Sequence, residues 1–495
     1  MKYLLGYDIG SSSVKAALLE AATGKVVGSV FSPPTEMEIS SPSPGFAEQD
    51  PELWWKELVH ATKKLNQQFS FKPDEVIAIG ISYQMHGLVC VGRNHQPLRP
   101  AIIWCDSRAV NIGEKAFAEL GKDFCLQQFL NSPGNFTASK LKWVKDNEPD
   151  IYEQIHKIML PGDYIALKLT GVAATTVSGL SEGIFWNFSK KKIAGELLNY
   201  YGIDSSLISS VVPTFGEQGK LLAEPASLLG LSAGIPVCYR AGDQPNNAFS
   251  LNVLQPGEIA ATAGTSGVIY GVSDKAEYDK FSRVNTFVHV NHSDNDPRYG
   301  ILLCVNGTGI LNSWLRKNFF SDASYETINA EAAKVAIGSD GLQFFPFGNG
   351  AERILVNKNL GGYLQGLHFN NHQWQHVARA AQEGIVFALH FGAEIMQQMG
   401  LRLTTVRAGH ANMFLSDVFT TTFANITNCV IELYNTDGAA GAARAAGFGS
   451  GYYHNFTESF TGMHVIKRIE PDLKVRTQVE QAYQNWKKNL LHLIK

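Results

Sequence analysis

The sequence predicts an α/β protein built as two related domains, and three observations carry that prediction. The chain has 495 residues, too many for one ordinary core, so a division into two domains of about 250 residues is the natural one. Residues 76–82 form a continuous apolar run, as in a strand buried on both faces, and such runs alternate with helical stretches. The chain also says nearly the same thing twice. It reads Tyr7-Asp8-Ile9-Gly10-Ser11-Ser12-Ser13-Val14-Lys15, and later Ala260-Ala261-Thr262-Ala263-Gly264-Thr265-Ser266-Gly267-Val268-Ile269-Tyr270. Each copy is a short apolar strand that runs into glycine and hydroxyls and returns as a second apolar strand. The boundary falls near 246–256, giving domains 1–246 and 247–495.

The elements follow in order. Residues 3–8, 14–20 and 25–31 read as three strands, with Ala22-Thr23-Gly24 as the second hairpin turn. Residues 33–50 are rich in Pro and Ser and read as a loop. A helix opens at Pro51, with Asp50 placed to cap it. Strands are expected at 76–82, 88–92 and 101–104, and mostly helix over 109–160. The second half restarts with a strand over 236–243 ending in an acid, a helix through 246–250, and the second hydroxyl turn. A long amphipathic helix spans 373–399, and a strand over 405–410 leads to a glycine turn. Residues 437–447 form a helix of small residues, able to pack close to a backbone or a nucleotide.

Bulk properties exclude several classes. A formal net charge of −3 argues against a nucleic-acid-binding surface. Met1-Lys2 leads straight into a strand containing Asp8, which is not a secretory signal. No apolar run approaches the ~20 residues of a membrane helix. The six cysteines (Cys90, Cys105, Cys125, Cys238, Cys304, Cys429) are scattered without a C-x-x-C pair. That suits a reducing cytoplasm and offers no zinc site.

The doubled turn is the first candidate for chemistry. Glycine lets the backbone approach a ligand, and hydroxyls and turn N–H groups donate hydrogen bonds. Two such turns would grip a polyphosphate, and Asp8 is suited to hold Mg2+ through water. The plainer reading is a hairpin with a polar tip. The spacing is neither that of a Walker A loop nor that of the dinucleotide fingerprint. Asp243 ends an apolar strand, where ligands of α/β sheets bind. Phosphoryl transfer to a hydroxyl needs a carboxylate to take its proton. Asp243 also fits as the N-cap of the following helix, with Pro245 in its first turn. Gln84-Met85-His86-Gly87 follows the buried strand and offers an apolar wall and a ring donor to a sugar or polyol. A core Met beside a surface His is the plainer alternative. Asp106 and Arg108 bind hydroxyls or form a structural ion pair, the latter being the better reading for Arg108. Gly409-His410-Ala411-Asn412 and residues 437–441 lie at turns suited to adenine and ribose, although tight helix packing also explains the Ala/Gly run.

In this order these pieces resemble the FGGY carbohydrate kinases, of the actin-like, ribonuclease H-like ATPase superfamily, over essentially the whole chain. The Asp8–Lys15 stretch resembles the family's first phosphate motif, and Gly264-Thr265-Ser266-Gly267 the second. Residues 136–147 resemble one family signature; Gly362-Tyr363-Leu364-Gln365-Gly366 with residues 376–383 resembles the other. Residues 437–443 resemble the family's Ala-Leu-Gly-Ala-Ala helix. Gln84-Met85-His86-Gly87 and residues 103–108 are most similar to those of the xylulose-phosphorylating branch. Four places depart from the pattern. Gln244 stands where Asn is common, and Gln382 where an apolar residue is usual. Residues 350–355 lack Thr, Pro and His, and Ala408-Gly409 replaces a double glycine.

The resemblance implies two ribonuclease H-like (actin-like ATPase) domains with a cleft between them, and ATP- and Mg2+-dependent phosphorylation of a ketopentose, D-xylulose. It assigns Asp243 as the base and Asp8 to the metal. Gln84, Met85, His86, Asp106 and Gln244 fall on the sugar side. Gly10, Ser11, Ser12, Ser13, Lys15, Gly264, Thr265, Gly309, Gly409 and Asn412 fall on the ATP side. Homodimers are common among such relatives, so a homodimer is the expected assembly by analogy. The competing readings are gluconokinase or another sugar or polyol kinase, an actin- or chaperone-like ATP-binding protein, and a catalytically inactive sugar sensor.

Overall fold

The computed structural model describes residues 1–320 and 323–495. The chain forms two compact units. The first comprises Met1–Asn252, Phe287–Arg298 and Thr436–Met463; the second comprises Val253–Thr286, Tyr299–Asn435 and His464–Lys495. A single cut after residue 246 therefore differs from the packing. The Ala/Gly helix near residue 440 returns to the first unit because its small residues match the glycines of the first sheet.

The first sheet contains β1 (Tyr3–Ile9), β2 (Val14–Glu20), β3 (Val26–Ser32), β4 (Val76–Tyr83) and β5 (Val237–Gly242), in the order β5-β4-β1-β2-β3. The first three strands form an antiparallel meander. β4 runs parallel to β1, and β5 parallel to β4. Its helices are α1 (Pro51–Phe69), α2 (Pro161–Thr170), α3 (Val177–Glu182), α4 (Asp243–Ser250) and α5 (Gly438–Gly449). Asp50 caps α1, accepting from the Glu52 N–H at 2.9 Å, and Pro51 opens it. Trp54, Leu58, Ala61 and Leu65 recur at helical spacing and are buried in the first core.

α5 lies on β1 and β4 at backbone-contact distance. A Cβ added to Gly6 would stand 1.9 Å from the Ala439 carbonyl oxygen, and one on Gly80 would stand 2.0 Å from that of Ala442. The glycines on the sheet and the alanines on the helix are thus one packing solution, read from two distant parts of the chain. Asp437 caps α5, accepting from the Ala440 N–H at 2.9 Å.

The second unit repeats the plan with β6 (Ile259–Ala263), β7 (Gly267–Ser273), β8 (Tyr299–Val305), β9 (Thr405–Gly409), β10 (Val430–Tyr434) and β11 (Val465–Ile469). Across its sheet these run β8-β7-β6-β9-β10-β11. Again the first three are antiparallel and the next two run parallel to the first. Each hydroxyl turn therefore joins the first two strands of its sheet. The long helix Trp374–Gln398 was expected to be amphipathic, yet it is buried almost continuously from Ala378 to Met396. Strand Gln343–Phe347, helix Asp417–Thr427 and helix Arg476–Leu493 all pack against it.

Some expected elements are smaller than their sequence pattern. The strands near 88–92 and 101–104 shrink to Val89–Val91 and Ala101–Ile102, outside the main sheet. The helix after β5 begins at Asp243 itself, with Gly242 in the cap position.

Gly6→Ala and Gly80→Ala are each expected to lower stability by about 1–3 kcal/mol or more, because backbone must move to admit the methyl group. Gly195→Ala, which meets nothing within 4 Å, should stay within about 0.5 kcal/mol of wild type. Thermal unfolding followed by circular dichroism checks the contrast; equal effects at the three positions would contradict the packing described for α5.

Candidate active site

The candidate residues of the first unit gather at the carboxyl ends of the parallel strands β1, β4 and β5. That is where the fold leaves strand ends uncovered by its own connections. Asp8 is the next-to-last residue of β1. Its Oδ1 accepts from the Ser82 hydroxyl at 2.9 Å, Ser82 being its register partner on β4. Lys15 stands directly opposite Asp8 on β2, so both side chains lie on one face of the sheet. Gly438 closes the other side, and a Cβ there would come within 2.5 Å of Asp8 Oδ2. Burial pushes the Asp8 carboxyl above its ordinary range, opposed by the Lys15 charge and the Ser82 hydrogen bond and reinforced by Asp437.

The Gly10 to Ser13 turn closes with the Gly10 N–H donating to the Ser13 carbonyl at 3.1 Å. Ser12 is exposed at its tip, and Ser11 and Ser13 are half-buried. Gln49 fastens the turn, its amide donating to the Ser11 carbonyl at 2.7 Å. The Trp104 indole N–H donates to the Ser11 hydroxyl at 3.3 Å. Gln49 carries no motif, and Trp104, although within the 103–108 stretch, was given no contact with this turn by sequence reading.

Asp243 follows β5 and is the first residue of α4. Desolvation, then the charge of Asp8, pushes its carboxyl up to about 7 against hydrogen bonds from Gln244 and its own backbone. An acid so placed takes up and gives up a proton near neutrality, which a general base requires. Gln244 Oε1 is buried without a hydrogen-bond partner among the described residues.

Gln84, Met85 and His86 follow β4. The Gln84 N–H donates to the Ile9 carbonyl at 2.8 Å, tying this loop to the end of β1. Met85 is buried against Gly242, just before Asp243. His86 adopts a left-handed backbone with φ of 62°. Its Nδ1 lies 2.9 Å from the Glu182 carbonyl oxygen. A carbonyl only accepts, so Nδ1 carries the proton, and in the neutral ring Nε2 is the acceptor. Phe136 and Phe287 flank the ring at centroid distances of 4.8 and 5.4 Å. The buried Lys140 ammonium donates to the His86 and Ile103 carbonyls, each at 2.9 Å, and burial lowers it to about 8.

Asp106 is placed differently from a sugar ligand. It is 1 % exposed. Oδ2 accepts from the Ala47 N–H at 2.7 Å and from Arg108 Nε at 2.8 Å, and Oδ1 accepts from the Arg108 N–H at 2.9 Å. Arg108 also pairs with Glu48 at 2.7 Å and stacks over Phe46. Oδ2 makes the ion pair with the Arg108 guanidinium while Oδ1 accepts from the Arg108 backbone N–H, so both oxygens are in structural contacts, the second of the two readings.

The second unit assembles its own cluster. The Gly309 N–H donates to the Gly264 carbonyl at 2.8 Å, and the Ile310 N–H to the Thr265 carbonyl at 3.1 Å. A Cβ on Gly309 would lie 2.2 Å from that Gly264 oxygen. Helix Gly309–Phe319 thus sets its N-terminal end against the second hydroxyl turn, its first N–H groups being taken up by the Gly264, Thr265 and Thr308 carbonyls. Gly409 ends β9 beside β6, and the Asn412 amide lies near Gly264. Gly264, Thr265, Gly309, Gly409 and Asn412 therefore come together within one unit.

With this geometry in hand, comparison with known proteins is direct. Residues 3–250 match the N-terminal domain of the FGGY family of carbohydrate kinases, and residues 259–450 match its C-terminal domain. The chain belongs to the FGGY family of carbohydrate kinases. The xylulose kinase of Bacillus subtilis (strain 168) is 30% identical over 468 residues, spanning 92% of this chain and 90% of that one. Among solved structures, the "xyloylose kinase" of Brucella ovis superposes with a TM-score of 0.88 at 27% identity, covering 100% of both chains. The gluconate kinase of Lactobacillus acidophilus reaches a TM-score of 0.89 at 23% identity, covering 100% of this chain and 98% of that one. That likeness extends to the fold alone, so the fold does not select the sugar. As a carbohydrate kinase this chain handles a nucleotide. Among the described residues no helix is long and apolar enough to cross a membrane.

One residue of this FGGY site escaped sequence reading. Glu182 ends α3, is 1 % exposed, and contacts both His86 and Gly242. Its signal was faint: it is the one charged residue between Lys168 and Lys190.

The Asp243 carboxyl yields a prediction on stability. Its folded value of about 7 exceeds the ordinary 3.8, so the folded state keeps a proton that the unfolded chain releases. Asp243 therefore costs stability progressively as pH rises from about 4 to about 7. Asp243→Asn should be more stable than wild type at pH 8 by roughly 1–3 kcal/mol, with the gain shrinking towards pH 5. Thermal melts at both pH values, in chelator, check this; a gain independent of pH would contradict it.

Proposed function

We propose that this FGGY kinase transfers the γ-phosphoryl group of ATP to D-xylulose, giving D-xylulose 5-phosphate and ADP. The observation that carries the reading is Asp243: a carboxyl held near neutrality at the end of β5, beside the Met85–His86 wall and in the field of Asp8. The ketose lies against Met85 and His86. Its primary hydroxyl gives its proton to the Asp243 carboxylate as the O–P bond forms, and the bond from the γ-phosphorus to the bridging oxygen breaks to release ADP. In such transfers the protein mainly positions the reactants and stabilises charge.

The remaining residues take roles consistent with this. The turn N–H groups with Ser11, Ser12 and Ser13 donate to phosphate oxygens, as preorganised donors. Lys15, on the face of Asp8, adds positive charge there. Gly264, Thr265, Gly309, Gly409 and Asn412 receive the nucleotide. Gln244 and Gln84 each hold a buried oxygen without a partner among the described residues, and sugar hydroxyls are donors from which such oxygens accept. Mg2+ would be held beside Asp8, whose carboxylate feels Asp437 and acts on Asp243 and would present a hard oxygen to the water shell of the ion. When bound, the ion neutralises charge on the phosphate oxygens.

Support for D-xylulose over gluconate comes from the sequence relatives, whereas neighbours in fold include kinases of both kinds. A coupled ADP-release assay over pentuloses, polyols and gluconate decides it. D-Xylulose should give the highest kcat/KM; a higher value on gluconate replaces the substrate, and sugar binding without turnover on any compound removes the kinase reading. Asp243→Ala should keep ATP affinity and lose roughly 10³-fold or more in kcat. Turnover within a few-fold of wild type would remove Asp243 as the base.

A further inference from the structure

Glu182 lies where the two working parts of the first unit meet. Its Oε1 faces the His86 N–H at 3.3 Å, and its own carbonyl faces His86 Nδ1 at 2.9 Å. These contacts hold a histidine in the left-handed region, where residues other than glycine are uncommon. Its Oε2 lies 2.4 Å from where a Cβ of Gly242 would stand, so this oxygen presses on the residue that delivers Asp243. Met85 Cγ presses on the same point, at 2.6 Å. One carboxyl thus touches the sugar-side loop and the strand end that carries the base.

The surrounding charges decide the form in which it works. The ionisable groups acting on Glu182 are Asp243 after β5, Asp163 on α2 and Tyr83 on β4. Among the described residues, Arg240 on β5 pairs with Asp163 at 2.9 Å and donates to the Ala174 carbonyl at 3.0 Å, and the Lys140 ammonium is held by the His86 and Ile103 carbonyls. Arg240 is thereby committed to Asp163, which leaves Glu182 as the surplus acid in a dry layer. Burial and the Asp243 charge push it well above the usual carboxylate range. A neutral carboxyl still accepts through its carbonyl oxygen and donates through its hydroxyl.

We propose that Glu182 is a positioning residue whose carboxyl braces the His86 turn against the Gly242–Asp243 junction, so that sugar and base are set relative to each other by one side chain. The inference rests on the kinase reading of this site. It makes no use of negative charge on Glu182, and this separates it from a role as a second base or as a cation ligand.

Three variants test it in the full-length protein: Glu182→Gln, Glu182→Ala and Glu182→Met. Gln keeps shape, neutrality, acceptor and donor; Met keeps volume and drops the polar contacts. Glu182→Gln should retain kcat/KM for the sugar within about five-fold, whereas Glu182→Ala and Glu182→Met should lose about 10²-fold, with KM for ATP within about two-fold. Met serves where Ala fails to fold, and thermal melts confirm folding of each protein assayed. A Gln variant as impaired as Ala and Met would overturn the neutral brace, because charge would then be required. Variants that lose melting temperature but keep kcat and both KM values would overturn positioning. The ratios are taken on whichever sugar wild type phosphorylates best, so a wrong substrate leaves this test intact; wild type inactive on every sugar would sink the kinase reading, and this inference with it.

Discussion

Two carboxylates, Asp8 and Asp243, share a poorly hydrated space at the ends of β1 and β5, and the first unit is built around keeping them there. Either acid would be more stable in water. Each is held instead by a strand end whose backbone has no freedom to retreat. β1 and β5 flank β4 in one sheet, and α5 presses on β1 and β4 at distances that only glycine allows. The strain is electrostatic: Asp243 stays near 7 because it is dehydrated and because Asp8 is close. A site of this kind trades stability for a group poised to exchange a proton.

The same constraint explains the neighbours. Ser82 and Lys15 sit at the register positions of Asp8 on the two flanking strands, so the sheet itself supplies a hydrogen bond and a positive charge. Glycine at 438 is required because Asp8 Oδ2 occupies the place of its side chain. At 242 a side chain would have to displace Met85 and Glu182, which converge there. Function and packing meet at these two glycines, and substitutions at them are not separable into one or the other.

Much of this was legible in the sequence because it is local. The doubled Gly-hydroxyl turn is a contiguous pattern, and the two sheets do repeat one topology around it. The acid ending an apolar strand is likewise contiguous, so Asp8 and Asp243 could be singled out. Other features depend on contacts distant in the chain. Asp106 and Arg108 stand two residues apart and polar near an expected strand end, a pattern compatible with a sugar site or an ion pair, the latter favoured for Arg108; Ala47, Glu48 and Phe46 around them show the ion pair. Glu182 lies in a segment without periodicity, and its meaning comes from His86 and Gly242, about 96 and 60 residues away. The return of α5 to the first unit is legible only once Gly6 and Gly80 are seen to face Ala439 and Ala442.

The central claim is that Asp243 is a proton acceptor tuned by dehydration and by Asp8. Carbon-13 NMR titration of aspartate carboxyls in the metal-free protein, with Asp243 assigned by its Asn variant, measures this directly. The account predicts a midpoint near 7 for Asp243, falling when Asp8 is replaced by Asn. A midpoint close to that of an ordinary aspartate, unmoved by the Asp8 substitution, would contradict it.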